Sequence, residues 1–156
     1  STRMNARFMN YLFNQDANYG IPHTTKEVKK YLTKNDLVFC GALEYRKKQT
    51  SDSTAAEIAK EFKAKFINLT NINGLYTNNP ITHKNAKFIP KISWEDFHKK
   101  ALKITFKPGQ HFVLDQTASK IIKTNKIPTY IINGKTPKEI DKLLNNKKFK
   151  GTIISN

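Results

Sequence analysis

Apolar and polar positions alternate along this chain in two spacings, and the switch between them marks out its elements. From Ser1 to Asn14 the apolar residues fall at helical intervals, with Met4, Phe8, Leu12 and Tyr11 on a face expected to meet a core. Asp16 to Pro22 is a polar loop. His23-Thr24-Thr25-Lys26-Glu27-Val28 reads as a helix start, with Thr25 the expected cap because Val28, Tyr31 and Leu32 share one face. Leu37-Val38-Phe39-Cys40-Gly41 is a short unbroken apolar run, which predicts a buried strand. Thr50-Ser51-Asp52-Ser53 opens a helix reaching to Lys63, whose apolar face is Ala55, Ala56, Ile58, Ala59 and Phe62. Ala64 to Leu69 reads as a buried strand, followed by a polar loop with Gly74 and Pro80 as breakers.

The second half continues the alternation. Lys87 to Ile92 reads as a short edge strand, and Ser93-Trp94-Glu95-Asp96 is a capping-box start for a helix through Leu102. Trp94 is expected to pack at that first turn. Phe106 to Gln110 carries the turn signal Pro108-Gly109. Asp115 precedes a helix from Thr117 to Thr124. Pro128 to Gly134 is a buried strand ending in a turn, and Thr136-Pro137-Lys138-Glu139 opens a helix with Ile140, Leu143 and Leu144 facing inward. Gly151 to Ile154 closes the chain as a strand. Strands alternating with helices predict one α/β domain, a three-layer αβα sandwich on a mostly parallel sheet. No internal repeat or low-complexity boundary interrupts residues 1–156.

Composition narrows the picture. A chain of 156 residues is long enough for a core of its own. Its single cysteine, Cys40, excludes a disulfide framework within the chain and reads as a small core residue. No apolar run is long enough to span a membrane, and the N-terminus lacks a signal-peptide core. A reduced, cytoplasmic setting is the expectation. The net charge of +16 favours polyanion partners. Lysine is spread along the whole chain, however, without an arginine-rich arm or an aromatic-interleaved stripe, so a specific nucleic-acid role is not expected. His83, His98 and His111 lack metal-ligand spacing, His23 reads as a surface residue, and no metal site is expected.

The candidate chemistry lies between Thr50 and Pro80. A helix N-terminus can hold phosphate through its free N–H groups and dipole. The loop after the next strand begins at that strand's carboxyl end, where open α/β sheets bind ligands. Within it runs Leu69-Thr70-Asn71-Ile72-Asn73-Gly74-Leu75-Tyr76-Thr77-Asn78-Asn79-Pro80. This order resembles the amino-acid-kinase superfamily, whose usual form is Thr-Asn-Val-Asp-Gly-Val-Tyr…Asp-Pro. Ser1-Thr2-Arg3-Met4-Asn5-Ala6 is similar to the Thr-Arg-Leu-Asn-Ala helix of its archaeal-type UMP kinases. Val113 to Ile122 is similar to their Asp-Pro-Leu-Ala-Ala-Lys-Ile-Ile stretch.

The resemblance implies a nucleoside monophosphate kinase that moves the γ-phosphoryl group of ATP to UMP, with magnesium, in de novo pyrimidine synthesis. It implies that Thr70, Asn71, Tyr76 and Asn79 contact ATP. It places UMP against Tyr45, Arg46, Lys47, Lys48, Gln49, Thr50 and Ser51. Asp115 would begin the helix that closes the phosphate end, a role that stands beside a plain N-cap. Lys120 matches a family lysine, although its helical position suggests a surface charge. Residues 1–40 would complete the acceptor-side half and residues 41–156 would form the nucleotide half. The chain would correspond to the C-terminal part of such a kinase. The phosphate-gripping glycines and main basic residue are expected in an upstream segment, separate or lost. A hexamer is also implied.

Two departures qualify the likeness. The family's Gly-Gly-x-x-Pro-Gly-x-Thr-Thr loop is here a longer Gly41-to-Ser51 segment with Arg46, Lys47 and Lys48 in place of Pro-Gly. The basic residues can grip phosphate or form a solvated loop, and uracil selectivity is left open. The family's two aspartates are Asn73 and Asn79, which keep hydrogen-bonding shape but lose charge and gain a donor. Two alternatives therefore stand beside UMP phosphorylation. One is another kinase of the superfamily; the other is a non-catalytic basic module that binds nucleotide or nucleic acid.

Overall fold

The computed structural model describes residues 2–13, 16–44, 50–103 and 114–156. Two compact units divide the chain, Ser1–Thr54 and Ala55–Asn156. The first holds helices α1 (Thr2–Phe13) and α2 (Thr25–Leu32) and the first turn of α3 (Ser51–Glu61). Helix α2 starts one residue earlier than expected. Thr24 is the cap, its side chain accepting from Glu27 N at 3.1 Å, while the Glu27 carboxylate accepts from His23 N at 2.7 Å. The first bond satisfies one of the N–H groups that a helix leaves open, and the second ties the residue before the cap to the first turn. Val28 is buried beneath it, while Leu32 is exposed.

Helix α1 turns a different face inward from the one expected. Ala6 is its buried residue, and Met4, Phe8, Tyr11 and Leu12 are all exposed. Arg3 donates to Ile21 O at 2.7 Å and to Pro22 O at 3.1 Å. Helical spacing identifies a stripe but not what covers it.

Leu37 to Gly41 is not a strand either. Its backbone makes one parallel bridge, Ala17 with Leu37, and the next pairing goes to a side chain. Buried Asn18 accepts from Phe39 N at 2.7 Å and donates to Phe39 O at 3.2 Å, which copies a strand's two hydrogen bonds. Cys40 is half-buried there, and burial pushes its thiol pKa up.

The second unit contains the sheet. Its four strands run in the order β1 (Phe66–Thr70), β5 (Thr129–Asn133), β6 (Gly151–Ile154), β4 (Lys91–Ile92). β1 with β5 and β4 with β6 are parallel, while β5 with β6 is antiparallel. The expected Lys87–Ile92 strand is two pieces: β3 (Phe88–Ile89) leaves the sheet to pair with β2 (Leu75–Tyr76), and β4 joins the edge. On one face Phe66, Ile131 and Ile154 meet Ala56 and Ala59 of α3, Phe97 of α4 (Trp94–Leu102), and Ala118 and Ile122 of α5 (Gln116–Thr124). Each such Ile or Phe fully buried contributes about 1.5–3 kcal/mol. Trp94 packs on this cluster and donates to Ile127 O at 2.9 Å.

The other face carries α6 (Pro137–Leu144) and Phe149, whose ring meets Tyr130 edge-on at 6.1 Å. Helices on both faces give the expected layers. Leu143 is buried, but Leu144 is exposed, contrary to expectation. No helix among the described residues is long and apolar enough to cross a membrane.

The Glu139 carboxylate fastens α6 to the approach of β6. It accepts from Lys142 Nζ at 2.7 Å and from Lys150 N at 2.6 Å. These bonds, that from Lys142 first, lower its pKa below the ordinary carboxylate value. A lowered folded-state pKa stabilises the fold above the unfolded value, and that contribution is lost as pH falls through the folded one. Urea midpoints measured from pH 7 down to pH 3 should therefore drop less steeply in Glu139→Gln than in the unaltered chain. Parallel curves would show that the carboxylate contributes nothing there.

Candidate functional site

The parallel pairing of β1 with β5 brings two strand ends together. Thr70 stands opposite Asn133 in the register, so both chains leave the sheet at one carboxyl edge. The next N–H, that of Gly134, donates back to Thr70 O at 2.8 Å. Thr70 Oγ1 lies 3.4 Å from Asn71 Oδ1, a long bond from hydroxyl to carboxamide oxygen. Asn71 is exposed and Thr70 half-buried. This is the position at which open sheets meet ligands.

A second link crosses the edge. Asn133 Oδ1 accepts from Lys135 N at 2.9 Å, and Asn133 Nδ2 donates to Asn73 Oδ1 at 3.1 Å. Asn133 and Gly134 were missing from the expected site. Asn-Gly after a strand signals only a turn, and only strand pairing carries it to the loop at 71–74.

Gly74 then admits the hairpin. Its φ is +145°, and an added Cβ would lie 2.6 Å from Thr152 Oγ1 and 3.0 Å from Thr152 N. Thr152, fully buried in β6, accepts from Leu75 N at 2.8 Å and donates to Ile89 O at 2.6 Å. One hydroxyl thus ties both strands of the β2–β3 hairpin to the sheet. The half-buried Tyr76 sits on that hairpin, its ring meeting Phe88 edge-on at 5.4 Å. Beyond it, Asn79 Oδ1 accepts from Ile81 N at 3.0 Å, and Asn79 O accepts from His83 N at 2.9 Å.

Asp115 caps α5, its Oδ1 accepting from Ala118 N at 2.8 Å. This is the plain N-cap that stood beside the role at the phosphate end. His98 lies where α4 meets α5, its Nδ1 2.9 Å from Ser119 Oγ. Ser119 Oγ also lies 2.8 Å from Gln116 O, to which it can donate. Among the described residues no three His, Cys, Asp or Glu side chains group as metal ligands.

In the first unit, Thr50 caps α3. Thr50 Oγ1 accepts from Ser53 N at 3.1 Å, and Ser53 Oγ accepts from Thr50 N at 2.8 Å. Ser51 is exposed in the first turn and Asp52 half-buried beside it, a carboxylate suited to the positive end of the helix dipole. Of the residues expected against UMP, Tyr45, Arg46, Lys47, Lys48 and Gln49 lie outside the described residues.

Comparison with known proteins bears on the fold. The profile of the amino acid kinase family matches residues 1–133. A uridylate kinase of Methanococcus aeolicus is 31% identical over 156 residues, covering 99% of this chain and 68% of that protein. One from Hyperthermus butylicus is 26% identical, covering 99% and 67%. The crystal structure of uridylate kinase from Archaeoglobus fulgidus superposes with a TM-score of 0.83 at 30% identity, over 98% of this chain and 67% of that one. The chain therefore spans about two thirds of the length of these relatives.

Thr152→Val keeps the shape of the side chain but leaves Leu75 N–H buried without its acceptor. It should cost about 1–3 kcal/mol in denaturant unfolding. An unchanged midpoint would show that the hairpin does not depend on this hydroxyl.

Proposed function

This chain belongs to the amino acid kinase family, alongside the archaeal uridylate kinases, and on that premise we propose that it forms the ATP-side portion of a uridylate kinase. The reaction breaks the bond between the γ-phosphorus and the β–γ bridging oxygen of ATP. A phosphate oxygen of UMP forms the new bond, giving UDP and ADP. Catalysis of this kind depends on holding the two phosphates in line and neutralising charge. The observation that carries the reading is the Thr70-to-Tyr76 loop at the carboxyl edge of the β1–β5 pair, in a fold shared with a solved archaeal uridylate kinase.

Thr70, Asn71, Tyr76 and Asn79 hold ATP in this proposal. Ser51 and Thr50 at the α3 N-terminus, with residues 45–49, hold UMP. Phosphate suits a helix N-terminus. A polypeptide segment corresponding to the relatives' remaining third supplies the basic residue on the transferring group. Magnesium, if held here, would come with the nucleotide's phosphates, as a hard cation that favours oxygen donors. This loop offers it no carboxylate, because positions 73 and 79 are asparagines with their oxygens engaged. Further expectations are a cytoplasmic setting, a place in pyrimidine nucleotide synthesis and assembly into hexamers, for which sedimentation is the direct check.

The same two asparagines favour a second reading, a nucleotide-binding module without turnover. ADP release measured with the upstream polypeptide supplied separates the two. UMP-dependent turnover is the expected result, and Asn71→Leu should raise the KM for ATP about tenfold with kcat largely kept. ATP binding without UMP-dependent turnover would favour the non-catalytic module.

A further inference from the structure

The hydrogen bonds around Asn73 determine which way its carboxamide faces. Asn133 Oδ1 is the acceptor of a backbone N–H, that of Lys135 at 2.9 Å, so the other arm of Asn133 must be its NH2 group. That group donates to Asn73 at 3.1 Å, so the atom that Asn73 offers must be its oxygen. Asn73 Nδ2 is thereby turned to the other side. It makes no hydrogen bond among the described residues, and it is not among the buried polar atoms left without a partner, so it is open to solvent. Asn79 has the same polarity by a separate route, because its oxygen accepts from Ile81 N. Both side chains direct N–H donors outward from a half-buried loop.

We propose that Asn133 is a positioning residue that makes the nucleotide loop a donor surface, with Asn73 presenting its NH2 group to an anionic oxygen of the bound nucleotide. The inference rests on the assignment of this loop to ATP. A neutral carboxamide accepts nothing from the ligand in this orientation and repels no charge. The ligand group that fits is an acceptor-only one, a phosphate oxygen. It follows that the loop itself makes no demand for a bridging cation, and ATP without magnesium should bind here nearly as well as its magnesium complex.

Two substitutions invert the polarity by different routes. In Asn73→Asp, one carboxylate oxygen still accepts from Asn133, and the other faces outward as an acceptor. In Asn133→Asp, the new carboxylate oxygen facing Asn73 accepts from its NH2 group, which forces the carboxamide to turn and present oxygen. Isothermal titration of the full chain with ATP, once in EDTA and once with excess magnesium, reads the difference. Thermal unfolding of each variant reports whether the fold is kept.

The unaltered chain should give similar Kd values in both conditions. Both variants should bind metal-free ATP about tenfold more weakly, since one hydrogen bond to a charged group is lost. The loss for magnesium-ATP should be smaller, because the cation can face the new oxygen. A merely structural role for Asn133 would weaken both forms equally. If the unaltered chain binds ATP and the ratio of the two Kd values stays the same in Asn73→Asp, the inference is overturned while the nucleotide assignment stands. If the unaltered chain binds ATP in neither condition, the assignment of the loop falls, and the inference with it. Should Asn133→Asp fail to fold, Asn73→Asp alone decides, since it keeps the bond to Asn133.

Discussion

The parallel pairing of Phe66–Thr70 with Thr129–Asn133 is the constraint on which the candidate nucleotide edge depends. Parallel register sends both strands out at one carboxyl edge, and it sets Thr70 beside Asn133 across many intervening residues. Everything at that edge follows from this adjacency. Gly134 N–H has Thr70 O to donate to, and the Asn133 side chain reaches Asn73. A slip of one residue would turn Asn133 to the opposite face and place Ile131 away from the core. The buried Ile131 therefore holds the register that the polar edge needs.

The edge is polar without being charged. Asparagine at positions 73, 79 and 133 gives each loop a donor and an acceptor on one planar group, and neighbouring backbone N–H groups take the acceptors at 79 and 133. A carboxylate at 73 or 79 would keep the inner bond but present negative charge outward. The chain's overall positive balance, +16, acts in the same sense, favouring anionic ligands. The Thr152 hydroxyl and Gly74 complete the edge from below. One provides the hydrogen bonds that hold the hairpin, and the other provides the space for them.

The N-terminal unit uses side chains where a sheet would use backbone. Asn18 satisfies both polar groups of Phe39, and Arg3 satisfies the carbonyls of Ile21 and Pro22. Such clasps need fewer ordered residues than a strand pair. They also explain why an apolar run at 37–41 is half-buried without being extended into a ladder. On α1, Met4, Phe8, Tyr11 and Leu12 face outward.

Local chemistry by itself determined the helices and most strands. Ser93, Asp115 and Thr50 cap helices because a short side-chain oxygen before an apolar periodic run has N–H groups to accept from, and no distant residue is required. Three motif stretches in order, Ser1 to Ala6, Leu69 to Pro80 and Val113 to Ile122, likewise pointed to the family without coordinates. Tertiary structure alone decided what faces what. Periodicity showed a stripe on α1 but not its direction, an apolar run at 37–41 but not its partner, and an Asn-Gly turn at 133–134 but not its neighbour. Each of those depends on a contact between residues far apart in the chain. A hydrogen bond such as Asn133 to Asn73 leaves no trace in local spacing, because its two ends are brought together by strand pairing and by nothing in the sequence around either one.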